Sequence, residues 1–372
     1  MAIFSFKRKR NEKPDYLFLF AFGALLIFGL VVLSSASSDL GKIKFNDTYY
    51  YLKHQIIYGL SFGLLGFFIT YNTYYKHYKK IALPLLILSI LVLGVVLFTP
   101  LGKAFGGSTR WLFLGPITIQ PSEILKVTFL VYLATWLSRP GADRKNNIMN
   151  GFLPFLLMAG LVAVLLILEP ATSTVFIILC SALIVYFMSG AKFIYIVLTL
   201  LIGAIALAGL IYVTPYRFER FTSFFSPNQD LEGGGFHSNQ ALITIGSGGL
   251  TGVGYGQSAN KYNYLPESIG DSIFAIIAEE FGFIGAASLI FVFFVLLLRG
   301  FFIARGVRDE FGKLLMIGLL SEIGIQAFIN IGAISGLLPI TGVTLPFISY
   351  GGTSLAVLMT TVGIMANVSK YA

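Results

Sequence analysis

The chain has 372 residues, of which 56% are hydrophobic and only 12% charged, with a formal net charge of +9. A soluble domain carries about 25% charged residues, so this composition, with a mean hydropathy of +0.83, excludes a water-soluble globular enzyme and points to a chain solvated by lipid. The single cysteine, Cys180, lies in an apolar run, which rules out an intramolecular disulfide and reads as core.

Residues 1–15 carry KRKR and Lys13 and read as a basic cytoplasmic tail. Directly before a spanning helix such a patch anchors orientation, and no nucleic-acid partner is expected. The apolar run that follows is too long for a cleavable signal peptide and lacks a small-residue cleavage pattern. Largely apolar runs of about 20 residues cross the ~30 Å hydrocarbon core as helices. On that basis spans are predicted at 16–38, 54–75, 81–102, 111–137, 146–168, 170–191, 193–216, 272–298, 314–335 and 345–368. The boundary at Glu169-Pro170 is the weakest, since proline sits just after a helix end or in its first turn; one kinked helix there would give nine spans. With the amino terminus inside, ten spans put seventeen Lys or Arg on the cytoplasmic side and eight outside, Lys126 lying within a span. Both termini are then cytoplasmic, and the large loop 214–271, between spans seven and eight, is extracytoplasmic. The chain 1–372 reads as one all-α, polytopic membrane domain.

Chemistry is expected in the long polar loop, because loops of this length are functional or disordered and its aromatic residues argue for order. Asp271 stands where the chain re-enters the membrane. It could simply cap the next helix, or it could be a carboxylate held at the mouth of the bundle as a general base. Arg217 and Arg220 could bind phosphate or be solvated loop charges. Glu123 and Lys126, at i and i+3 in QPSEILK, can face each other, either as a structural ion pair or within a polar cavity. Glu322, Gln326 and Asn330 form a polar stripe that could also be interhelical glue. Glu279 and Glu280 are adjacent and point to different faces, so at most one is expected to enter a cavity. The glycine-rich run 233–256 has no GxxxxGK[ST] and no strand-to-helix frame, and reads as turns between short helices. His54, His77 and His237 show no zinc spacing.

Three stretches occur in order: STRWLFLGPITIQPSEILK, IGSGGLTGVGYGQSANKYNYLPESIGDSIFAIIAEEFG and INIGAISGLLPITGVTLPFISYGGTSL. Together they resemble the SEDS family of cell-wall polymerases, which includes FtsW, RodA and SpoVE, with wording closer to the FtsW branch. The resemblance covers essentially the whole chain. It implies a glycosyltransferase of the bacterial cytoplasmic membrane that polymerises lipid II, an undecaprenyl-diphosphate disaccharide-peptide, into peptidoglycan strands on the outer face during division or elongation. It casts Asp271, the aspartate of LPESIGD, as the base, and Glu123 and Lys126 as a pair lining the central cavity. Arg110, Arg217, Arg220 and Lys261 become candidates for the diphosphate, a task that a divalent cation (Mg or Mn) could share, although no dedicated cage is visible. The partners it implies are a class B penicillin-binding transpeptidase, other division or elongation proteins and membrane lipid. Three departures stand out: Ile269-Gly270 replaces the His-Thr that many relatives carry before the aspartate, Glu169-Pro170-Ala171 lacks the Asp of the usual QPD-type turn, and His237-Ser238 replaces the commoner Tyr-Gln of the loop. A lipid II flippase or other transporter would instead need Glu123, Lys126 and Glu322 at the midplane. A non-catalytic division scaffold would need neither set.

Overall fold

The computed structural model describes residues 13–99, 102–105, 108–114, 117–141, 144–169, 171–214, 218, 222, 224, 234–261 and 265–372. The described residues form twelve helices and one small sheet. The helices are α1 (Tyr16–Ala36), α2 (Ser38–Phe45), α3 (Tyr50–Asn72, with a π turn at Gln55–Leu60), α4 (Lys76–Phe98), α5 (Pro121–Leu137) and α6 (Ile148–Leu168). They continue with α7 (Thr172–Met188), α8 (Phe193–Val213), α9 (Gly234–Ser247), α10 (Ile273–Gly306), α11 (Glu310–Ile334) and α12 (Gly352–Ser369). Strands β1 (Gly102–Phe105), β2 (Ser108–Leu114) and β3 (Ile117–Ile119) pair antiparallel in the order β1-β2-β3.

Eight helices, α1, α3, α4, α6, α8, α10, α11 and α12, are long and apolar enough to cross a membrane. The other two predicted spans match α5 and α7, each of 17 residues, at the short end of the ~17–25 residues a crossing takes. At Glu169-Pro170 the chain breaks: α6 ends at Leu168 and α7 begins at Thr172, giving two helices rather than one kinked one.

The structure corrects several boundaries. The fourth predicted span, 111–137, is helical only from Pro121; Trp111–Leu114 and Ile117–Ile119 belong to strands. Proline at the first helical turn biases the residue before it towards extended backbone, and Gln120 is extended, with φ −105° and ψ 105°. Arg110 therefore rides on a strand. The tenth span starts at Gly352 rather than 345, after a turn-rich segment. The glycine-rich run, expected as turns between short helices, is one helix of 14 residues over Gly234–Ser247, followed by turns from Gly248.

Ion pairs tie the helix ends at one end of the bundle. Asp15 caps α1 by accepting from the Phe18 N–H at 2.9 Å, and Arg299 of α10 reaches its Oδ2 through Nε at 2.9 Å and Nη2 at 2.8 Å. Asp309 caps α11 through the Gly312 N–H at 2.9 Å, accepts from the Tyr75 hydroxyl and pairs with Lys76 at 3.4 Å. Between α3 and α12, a Cβ on Gly66 would lie 2.1 Å from Thr360 Oγ1, and Thr70 Oγ1 donates to the Thr360 carbonyl at 2.9 Å, a small-residue contact of the kind that draws membrane helices together.

The opposite end is organised by a break in α10. At Gly282 the backbone leaves the helix with φ 67° and ψ −168°, a region open essentially only to glycine. The gap frees two carbonyls and two N–H groups, and residues 249–254 satisfy all four. The Val253 and Gly254 N–H groups donate to Glu279 O and Glu280 O at 2.9 and 3.1 Å, while Phe283 and Ile284 donate to Gly249 O and Leu250 O at 2.9 and 3.1 Å. Backbone polar groups inside a membrane bundle need such internal partners. A Cβ on Gly282 would lie 2.3 Å from Gly252 N and 2.5 Å from Leu250 O. Gly282→Ala is therefore expected to cost about 2–4 kcal/mol, read as a lower thermal midpoint of the detergent-solubilised protein. Gly94→Ala, where a Cβ meets nothing within 4 Å, should leave the midpoint unchanged or raise it.

Candidate active site

Asp271 is the last residue but one before α10 and is 8% exposed. The segment carrying it is pinned by its backbone. Tyr350 N–H donates to Ile269 O at 2.9 Å, Ser349 Oγ to Gly270 O at 2.6 Å, and Asn330 Nδ2 to Asp271 O at 2.7 Å. Asn330 Nδ2 also donates to Val343 O at 2.7 Å, so α11 and the turns before α12 together fix the position of the aspartate. The N-cap position of α10 falls on Ser272, not on Asp271. Ser272 Oγ donates to Asp271 Oδ1 at 3.3 Å, and His237 Nε2 of α9 lies 3.9 Å from the same oxygen.

Lys126 is the electrostatic centre of the bundle. Its ammonium is 1% exposed, lies 3.1 Å from Glu123 Oε1 and 3.2 Å from Glu322 Oε1, and donates to Gln326 Oε1 at 2.8 Å. Ser354 Oγ of α12 donates to Glu123 Oε2 at 3.0 Å, and Gln326 Nε2 donates to Thr344 O at 3.0 Å. One cation thus gathers α5, α11 and α12. The polar stripe of α11 runs on from Glu322 through Gln326 to Asn330, linking Lys126 to the backbone of Asp271. Glu322 Oε2 is buried without a hydrogen-bond partner among the described residues.

Arg110, on β2, donates through Nε to Glu169 O at 3.1 Å. Glu169, buried between α6 and α7, accepts from Ser122 Oγ of α5 at 3.3 Å. Burial pushes its carboxyl up to about 8, against the pull of the Arg110 guanidinium. Arg110 is therefore linked through Glu169 to Ser122 in the first turn of α5, the residue before Glu123. Arg217 and Arg220 lie outside the described residues.

Lys261 does not face an open site. It is 2% exposed, pairs with Glu280 Oε1 at 3.3 Å, and donates to Gly256 O at 2.7 Å and Ser35 Oγ at 3.2 Å. Ser35 Oγ of α1 donates to Glu280 Oε1 at 2.5 Å. Glu279 accepts from Ser258, from Asn260 Nδ2 at 2.8 Å and from Ser247 Oγ at 3.3 Å. Both glutamates are buried, and each meets its own part of the 247–261 loop, as their pointing to different faces of α10 allows. The sequence reading missed His237, Ser349 and Ser354 as parts of the site. The only local signal for the two serines was hydroxyl-bearing residues clustered in TGVTLPFISYGGTS.

A family model described as cell cycle protein, FtsW/RodA/SpoVE, matches residues 15–372. Stage V sporulation protein E of Bacillus subtilis (strain 168) is 37% identical over 365 residues, covering 97% of this chain and 98% of its own. The probable peptidoglycan glycosyltransferase FtsW of Nitrosomonas europaea is 38% identical over 354 residues, 92% of this chain and 89% of that one. Among solved structures, a chain from work on structural coordination of polymerization and crosslinking by a peptidoglycan synthase complex superposes with a TM-score of 0.81 at 27% identity, covering 96% of this chain and 97% of that one. The rod shape determining protein RodA of Thermus thermophilus gives 0.70 at 27% identity, with 96% of each chain covered.

Removing one partner of a buried charge cluster costs about 3–5 kcal/mol, because the remaining charges are left uncompensated. Lys126→Ala leaves Glu123 and Glu322 without their cation, so its thermal midpoint in detergent should fall sharply. Adding Glu322→Gln to Lys126→Ala should recover part of that loss, and a double mutant no more stable than the single one would contradict this account.

Proposed function

The chain belongs to the FtsW, RodA and SpoVE family, and we infer that, as a peptidoglycan glycosyltransferase of this family, it joins lipid II units into glycan strands with Asp271 as the general base. The observation that carries the assignment is the setting of Asp271: a carboxylate at one end of the bundle, its backbone held from α11 and from the turns before α12, with a hydroxyl and an imidazole beside its side chain. The acceptor sugar hydroxyl must lose a proton as it attacks, and one carboxylate within about 2.6–3.2 Å suffices. The donor carbon is already activated by its diphosphate, so the leaving group needs charge stabilisation rather than a general acid.

Arg110, beside Glu169 and the start of α5, is the described cation placed to meet a diphosphate at this end, and Arg217 and Arg220 are assigned to the same task. Lys261, already paired with Glu280, serves the fold. Glu123 and Lys126 shape the polar interior next to the site. Among the described residues no three His, Cys, Asp or Glu side chains converge to hold a metal ion. With the amino terminus in the cytoplasm, the Asp271 end, the sheet and the loop 214–271 face outwards, where lipid II polymerisation takes place. A class B penicillin-binding transpeptidase is the assigned partner, to crosslink the product.

The Lys126 cluster favours one competing reading, a lipid II flippase, because a transporter places its charges at mid-bilayer. Purified protein with its transpeptidase, given lipid II, separates the two. Wild type should make glycan polymer, and Asp271→Asn, with an unchanged thermal midpoint, should lose about 10²- to 10⁴-fold in rate. Normal polymerisation by Asp271→Asn would remove the base assignment, and movement of lipid II across vesicles without polymer from wild type would favour the flippase.

A further inference from the structure

A base that accepts a proton in every turnover has to release it before the next, and a carboxyl only 8% exposed has little water to release it to. The start of α9 lies against this carboxyl. His237, in the first turn of α9, places Nε2 2.6 Å from Ser272 Oγ, and Ser272 Oγ lies 3.3 Å from Asp271 Oδ1. Ser272 occupies the N-cap of α10 yet makes no side-chain capping hydrogen bond; its hydroxyl bridges the imidazole and the carboxylate instead. Ser272 is fully buried, while the His237 side chain is 16% exposed against 9% for Asp271. The three groups thus lead from the carboxylate through a buried hydroxyl to the most exposed of the three.

The imidazole is also held in register with the aspartate. The far end of α9 is tied to α10 by Ser247 Oγ and Glu279 at 3.3 Å, and the loop that follows is clasped into the break of α10 by four backbone hydrogen bonds. Helix α9 and the first turns of α10 therefore share one rigid attachment, which sets the 3.9 Å between Nε2 and Oδ1.

We propose that His237, acting through Ser272, is the proton exit of Asp271. This rests on the assignment of Asp271 as the base. As the acceptor oxygen forms its bond to the donor sugar carbon, the bond from that carbon to the diphosphate oxygen breaks, its electron pair leaves with the diphosphate, and the acceptor's proton passes to Asp271. The carboxyl then gives this proton to Ser272 Oγ while the serine's own proton moves to Nε2. That restores the carboxylate and the neutral hydroxyl and leaves an imidazolium, which yields its proton to water on the loop side. His237 receives the proton through Ser272 after the glycosidic bond has formed, so it is a positioning and relay residue rather than a second base.

The test uses the full chain with its transpeptidase partner, lipid II as substrate, and variants whose thermal midpoints match wild type. His237→Gln keeps a hydrogen-bonding group beside Ser272 but carries no proton in turnover. Both His237→Gln and His237→Ala are expected to lose about 10- to 100-fold in kcat, with KM for lipid II within about twofold of wild type. Imidazole in the buffer should restore a measurable part of the His237→Ala rate and none of the Asp271→Asn rate. Ser272→Ala should show the same kcat loss. If Asp271→Asn is inactive while His237→Gln turns over at the wild-type rate, the relay is overturned and the base assignment survives. A His237→Ala loss that appears in KM and is not restored by imidazole also overturns it. Full activity in Asp271→Asn removes the base, and the relay with it.

Discussion

Where α10 opens at Gly282, two carbonyls and two N–H groups lose their helical partners inside a bundle that has no water to offer, and residues 249–254 supply all four replacements. Much of the Asp271 end follows from that exchange. It brings the chain from 247 to 261 against the turn of α10 that carries Glu279 and Glu280, and their carboxylates then gather Ser247, Ser258, Asn260 and Lys261. Ser35 extends the same network to α1. A local break in one helix thereby fixes a loop, a second helix and the imidazole that faces Asp271.

Two of the buried lysines, Lys126 and Lys261, perform different tasks. Lys261 meets the Glu280 carboxylate together with backbone and hydroxyl oxygens, which immobilises a loop. Lys126 sits between two carboxylates and an amide contributed by two helices. In low dielectric such a centre adds little net stability over apolar packing, but it is costly to leave incomplete. It therefore acts as a register device: α5 and α11 can pack only where the three acidic and amide groups converge. The stripe on α11 carries that register one turn further to Asn330, whose amide holds Asp271 by its carbonyl. Electrostatics in the interior and placement of the carboxylate at the end are thus parts of one arrangement.

Much of this was legible locally. Hydrophobic runs located every spanning helix, because the cost of unpaired backbone in hydrocarbon acts on each segment by itself, but they misplaced the starts of α5 and α12, where strands and turns come first. The i, i+3 spacing of Glu123 and Lys126 announced their contact, and the polar spacing of Glu322, Gln326 and Asn330 announced one face of α11. Less visible were the strands at 108–119, where an apolar stretch before Pro121 looked like the start of a helix, and the helix over Gly234–Ser247, whose glycines suggested turns.

The amino-acid order by itself determined that this is a polytopic helical membrane protein, where its spans lie and which polar residues had to be accounted for, since these depend on composition and spacing within one segment. Which partner each polar residue found was settled by how the helices dock. Gln326 reaches Lys126 across 200 positions, and His237 reaches Ser272 across 35. Ion pairing and hydrogen bonding act over a few ångströms, and those distances exist only once helices remote in sequence have packed together.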